Sequence, residues 1–157
     1  MKLKKRFEVK KNQLYSIGGA AVTDVSTLAE VVRWSDVEPN FGEYDEAFLA
    51  ALRDELKQVE TADSFVFIEP VCDKVVDSAT FAEQVTAAMK HCARRIKDCA
   101  SVIGFAVPDE FVAGGFAADG AAAAFMEALS QKHTHYVYFC KRHAVIGKNY
   151  PDNVVLY

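Results

Sequence analysis

No apolar run in this sequence approaches the roughly 20 residues that cross a bilayer, so no membrane partner is expected. Nor does an apolar segment follow the basic start Met1–Arg6, because Phe7–Asn12 is polar again, and no signal peptide is expected. Four prolines and eight glycines are too few and too scattered to form a linker. A single domain spanning 1–157 follows. The four cysteines, Cys72, Cys92, Cys99 and Cys140, form no C-x-x-C pair, and His91, His133, His135 and His143 add no zinc-finger spacing. We therefore read the thiols as reduced small hydrophobes, the protein as cytoplasmic, and His133-x-His135 as packing rather than a metal pair. There is also no excess of positive charge. Eighteen basic residues stand against 22 acidic ones, giving a net charge of -4 and no electrostatic footprint for nucleic acid. Neither Gly18-Gly19 nor Gly114-Gly115 lies in a GxGxxG or GK[ST] frame, so no phosphate loop and no cofactor are implied.

What the sequence does contain is a strand-then-helix rhythm. Phe7–Lys10 and Leu14–Val22, separated by Lys11-Asn12, read as a hairpin. Val31–Trp34 is a brief apolar strand. From Asp45 to Glu60, the residues Phe48, Leu49, Leu52, Leu56 and Val59 recur at helical spacing. Ser64–Val71 is a continuous apolar run of strand length, as in a strand covered on both faces. Ser78–Asp98 carries Phe81, Val85, Met89, Cys92 and Ile96 on one helical face, with Ser78 or Thr80 as N-cap. A second buried strand is expected at Ser101–Val107, a helix at Phe116–Gln131 interrupted by Gly120, and further strands at Tyr136–Cys140 and Asn153–Tyr157. Buried strands alternating with amphipathic helices predict βα units on a parallel sheet.

Val32-Arg-Trp-Ser-Asp-Val-Glu-Pro-Asn-Phe-Gly-Glu-Tyr-Asp45 is more specific than any period. It resembles the second-strand region of cellulase-type, retaining glycoside hydrolases. In that region an arginine ends the strand, Ile/Val-Glu-Pro follows, and Gly-x-Tyr-Asp opens the next helix. Phe65-Val-Phe-Ile-Glu-Pro70 looks like the family's third strand, and Ser101–Glu110 like its fourth, which ends in Asn-Glu-Pro. Pro151–Tyr157 looks like the lead-in to the sixth. The resemblance implies a (β/α)₈ frame with its site at the carboxyl ends of the strands. There an acid/base and a nucleophile stand about 5 Å apart. A complete barrel needs about 200 residues, so the expectation is a partial or shrunken β/α barrel of five to six parallel strands. The alternative is a compact three-layer sheet. The unpaired sheet edges of an open partial barrel predict self-association.

By the same resemblance, Glu110 stands where the family has its acid/base, preceded by Asp109 in place of Asn. Arg33 matches the arginine that supports the nucleophile. The family's nucleophile belongs to strand seven, and the sequence ends within the sixth by this alignment. An ionised Asp109 cannot donate the hydrogen bond that Asn gives to a sugar. Glu69, alternating with Phe65 and Phe67, is the internal candidate for a second carboxylate. Arg33, Trp34 and Asp109 are candidate saccharide contacts, and Trp34, Tyr44, Phe111 and Phe116 are aromatics that either stack on a sugar or pack in the core. The expected function is a glycosidase-like domain, noncatalytic, with a saccharide or other ligand at the strand ends. The alternative is an active hydrolase pairing Glu110 with Glu69, Asp73 or a residue from a partner subunit.

Overall fold

A computed structural model of the protein describes residues 2–74, 78–112, 120–142 and 144–157. The chain opens with the antiparallel strands β1 (Phe7–Lys10) and β2 (Gln13–Ser16). Lys11 and Asn12 join them, both in left-handed conformation with φ of 49° and 62°. Two consecutive left-handed residues make the turn whose twist matches that of a hairpin.

Five parallel strands follow: β3 (Ala29–Arg33), β4 (Val66–Val71), β5 (Val102–Ala106), β6 (Val137–Cys140) and β7 (Val154–Leu156). Their order in the sheet is their order in the chain. Each strand therefore lies beside its predecessor, as around a barrel. A doubly wound sheet would instead reverse its order at a switch point. The architecture is a partial β/α barrel with an N-terminal hairpin.

Helices α1 (Trp34–Val37), α2 (Glu46–Thr61), α3 (Ser78–Arg95), α4 (Ala121–Ser130) and α5 (Ala144–Asn149) occupy the connections. In α2, the Asp45 carboxylate caps the start by accepting the Phe48 N–H at 3.0 Å, a contact worth about 1 kcal/mol. Leu49, Leu52 and Leu56 then form its buried stripe. In α3 the stripe is Val85, Met89, Cys92 and Ile96, all fully buried. Gly120, at φ 73°, precedes α4.

These stripes pack on one face of the sheet with Val32, Ile68, Val102, Phe105 and Tyr138. The opposite face holds a second core, in which Phe7, Val9 and Leu14 of the hairpin cover Phe67, Ile103, Ala106, Val137, Phe139 and Val155. The hairpin thus fills the concave side that a closed barrel would fill with its own far strands. Phe67 and Phe139 stack there with centroids 4.0 Å apart. β5 runs between them and brings Ile103 and Ala106 to this core.

Asn12 also ties the hairpin turn to β7. Its N–H donates to the Pro151 carbonyl at 2.7 Å, its carbonyl accepts from Leu156 at 3.1 Å, and its amide Nδ2 donates to Val154 at 2.8 Å. At the other edge, β3 pairs only with β4 among the described strands.

The boundaries differ from the sequence expectation where tertiary pairing intervenes. β3 starts at Ala29 rather than Val31, because Ala29 and Glu30 pair with Phe67 and Ile68. Trp34 leaves the strand to open α1. α5 had no periodic signal, being a single short helix of six residues. The expected start of a helix at Phe116 and the Gly114-Gly115 turn lie outside the described residues, as do His143 and the Ser78 side chain. No helix among the described residues is long and apolar enough to cross a membrane.

Candidate functional site

The carboxyl ends of the strands carry the sequence-predicted residues. Glu69 lies on β4, on the hairpin-facing side, where alternation with Phe67 places it. Its Oε1 accepts the Tyr157 hydroxyl at 2.6 Å and lies 3.9 Å from the Lys141 ammonium. Lys141, just past β6, also reaches the Asp109 carboxylate at 3.6 Å. The ends of β4, β5, β6 and β7 are thereby joined through four polar side chains. Burial and the adjacent Glu69 carboxylate both push the Tyr157 phenol above its ordinary range.

Asp109 and Glu110 occupy a 3₁₀ turn after β5 and are both exposed, while Phe111 in the same turn is fully buried and anchors it. Glu110 lies close to Cys72 beyond β4, and the thiol is raised, first by burial and then by the Glu110 carboxylate. A raised thiol is not a nucleophile. Asp73 accepts the Ser35 N–H at 2.9 Å and the Ser35 hydroxyl. Burial opposes its charge, but Ser35 and the nearby Arg33 together hold its carboxyl below the usual range. Arg33 itself is exposed at the end of β3. The site thus falls into two polar groups, Glu69–Tyr157–Lys141–Asp109 and Arg33–Asp73–Ser35, with Glu110 and Cys72 as a separate contact.

Trp34 has no surface to offer a sugar. It is fully buried, its indole donates to Glu38 at 2.8 Å, and Phe81 meets it edge-on with centroids 5.7 Å apart. Lys74 covers its ring at 4.7 Å. Glu38, only 3 % exposed, also accepts the Gly42 N–H at 2.9 Å. Of the Arg33–Asp45 motif, then, Trp34, Glu38, Gly42 and Asp45 build the β3–α2 connection, and Arg33 is left at the mouth. Tyr44 is half-buried and stacks on His91 with centroids 4.1 Å apart; Phe111 belongs to the core.

Sequence reasoning overlooked Lys141 and the side chain of Tyr157. The one available signal was their position just past apolar strands, where ligand-facing residues of β/α folds concentrate. Among the described residues, no group of three or more His, Cys, Asp or Glu could hold a metal ion.

No family model matches this sequence, and no curated protein matches it. Among solved structures the chain is similar to endo-glycoceramidase II from Rhodococcus sp. in its complex with a cellobiose-like imidazole. The TM-score is 0.57 at 16% identity, over 73% of this chain and 40% of the other. The lactosyl-enzyme intermediate of the same protein matches with a TM-score of 0.56 at 15% identity, over 73% and 41%. The chain spans about two fifths of the length of these neighbours. At such identity the likeness is one of fold, a β/α barrel frame.

Proposed function

We propose that this chain is a noncatalytic, glycosidase-like domain that binds a saccharide at the carboxyl ends of its strands. The observation that carries this reading is the exposure of Asp109 and Glu110 on their turn. Glycoside hydrolysis needs one carboxyl group kept protonated, which an apolar enclosure achieves. Glu110 stands outside any such enclosure, and Asp109 faces the Lys141 ammonium instead. What remains is a set of charged donors and acceptors, Arg33, Lys141, Asp109 and Glu69, spread across four strand ends. That array suits the hydroxyls of a sugar, each of which both donates and accepts. The cellobiose-like and lactosyl groups held by the fold neighbours favour saccharide over other polar ligands.

The test pairs an activity panel with calorimetry. Wild type is expected to release nothing from a series of aryl β-glycosides. Cellobiose or lactose is expected to give a heat of binding that Asp109→Ala or Lys141→Ala removes. Turnover that Glu110→Gln abolishes would establish instead an active hydrolase with Glu110 as acid/base and Glu69 as its second carboxylate. Absence of any saccharide heat would overturn the binding half.

A further inference from the structure

The amino-terminal ends of the strands, opposite the candidate saccharide site, border a second constellation. A cleft of about 870 Å³ opens there between the exit of α3, the segment leading into β6, and the residues ahead of the hairpin. That volume is within the range of small-molecule sites. Lys90 and Arg94, four residues apart on one face of α3, line it with Lys97 from the turn that follows. Lys132 joins them from beyond α4, and Lys2 from ahead of β1.

None of these five cations pairs with a carboxylate among the described residues. The contrast with Arg95 is direct, since that neighbour of Arg94 is held by Glu46 at 3.0 Å. The one acid in the lining, Asp98, is already taken, because both of its oxygens accept from Arg53. Basic residues in a last helical turn complement the helix dipole, which accounts for Arg94. It does not account for Lys132 and Lys2, which arrive from other parts of the chain. Converging like charges oppose folding unless something neutralises them.

The lining is also more than charge. Leu3 and Ala128 supply apolar surface, His133 is only 7 % exposed, and His135 carries a buried Nε2 with no hydrogen-bond partner. Buried polar atoms are nearly always paired, so an orphan in the wall of a cleft points to a missing polar partner.

We infer that this cleft binds a small soluble organic polyphosphate, its phosphate groups gathered by Lys90, Arg94, Lys97, Lys132 and Lys2. Several cations from three segments match a multiply charged ligand better than a single carboxylate. The chain as a whole carries -4, so its surface away from the cleft is acidic and repels an extended polyanion such as nucleic acid.

Calorimetric titration with inositol hexakisphosphate and with inorganic pyrophosphate tests this, at about 0.05 M and about 0.3 M salt. One saturable site is expected, weakening as salt rises. Lys90→Glu with Arg94→Glu, and Lys132→Glu separately, are each expected to weaken it by about tenfold or more. Lys10→Glu, on the hairpin, is expected to leave it unchanged. Circular dichroism confirms that each variant is folded, and Lys90→Gln with Arg94→Gln serves in place of any that is not. No heat with either probe, or equal affinity in the folded variants, overturns the inference. So does association confined to phosphatidylinositol bisphosphate vesicles in co-sedimentation, which would assign the cleft to a lipid headgroup. Saccharide binding at the opposite end is unaffected by these substitutions, so the two assignments stand or fall separately.

Discussion

Tyr157 donates its hydroxyl to Glu69 over 2.6 Å, linking residues 88 positions apart and strands separated by two others in the sheet. The phenol ring meets Phe67 edge-on with centroids 5.1 Å apart. The contact therefore crosses the concave face, where hairpin and sheet meet. It serves the candidate site by fixing one acceptor and the packing by closing the second core.

Removing that hydroxyl leaves the part-buried Glu69 with only the distant Lys141. Tyr157→Phe is expected to lower unfolding stability by about 1–2 kcal/mol, as for a hydrogen bond to a charged group. Glu69→Gln in the Tyr157→Phe background is expected to cost less than in wild type. Urea denaturation of the double-mutant cycle reads the coupling, and strictly additive losses would refute it.

Acid is expected to weaken the fold through His135. Burial first, and then the neighbouring His133, lower its imidazole to about 4 from an ordinary value near 6.5. Between those values the unfolded chain takes up a proton that the folded chain refuses. The stability contribution is thus complete above pH 6.5 and is lost as pH falls toward 4. Its size is on the order of 2 kcal/mol. Denaturation midpoints at pH 7 and pH 4.5 are expected to differ more for wild type than for His135→Gln.

Gly104 is a place where one methyl group is expected to disrupt the sheet. A Cβ there would lie 1.7 Å from the Val137 carbonyl oxygen, a backbone atom of the neighbouring strand. The ladder also shifts register between Val66 and Phe67 where β4 meets β5. Gly104→Ala is expected to cost about 3 kcal/mol or more, above the usual range for overpacking, because β6 itself must move. Thermal unfolding of the soluble fraction checks this, and a midpoint within about 3 °C of wild type would contradict it.

The frame was legible because its strands announce themselves by composition. Ser64–Val71 and Ser101–Val107 are apolar without alternation, and residues on both faces of the strands within them are buried. Leu49, Leu52 and Leu56 needed only their spacing. Trp34 was harder, because an apolar aromatic after Val31-Val-Arg continues a strand by propensity. Its indole's bond to Glu38 turns the chain instead, and no local pattern encodes that. Glu69 and Asp109 could be named from alternation and resemblance. Lys141 could not, since its two carboxylate neighbours come from other βα units. The basic face of α3 carried a readable signal that apolar periodicity conceals: Lys90, Arg94 and Lys97 have no acid three or four residues before them.

Asn12 has a consequence for how copies of this chain can meet. By occupying the outer side of β7 with one backbone and one side-chain amide contact, it closes that border to any incoming strand. Of the two borders of the five-stranded sheet, β3 alone then remains available, with Val31 53% exposed along it. A sheet with a single open border can take one neighbouring strand through it and no more. Strand addition to this sheet is therefore expected to halt at a pair in which two β3 strands lie together. Freeing β7 by replacing Asn12 would supply the second border that a growing fibre requires.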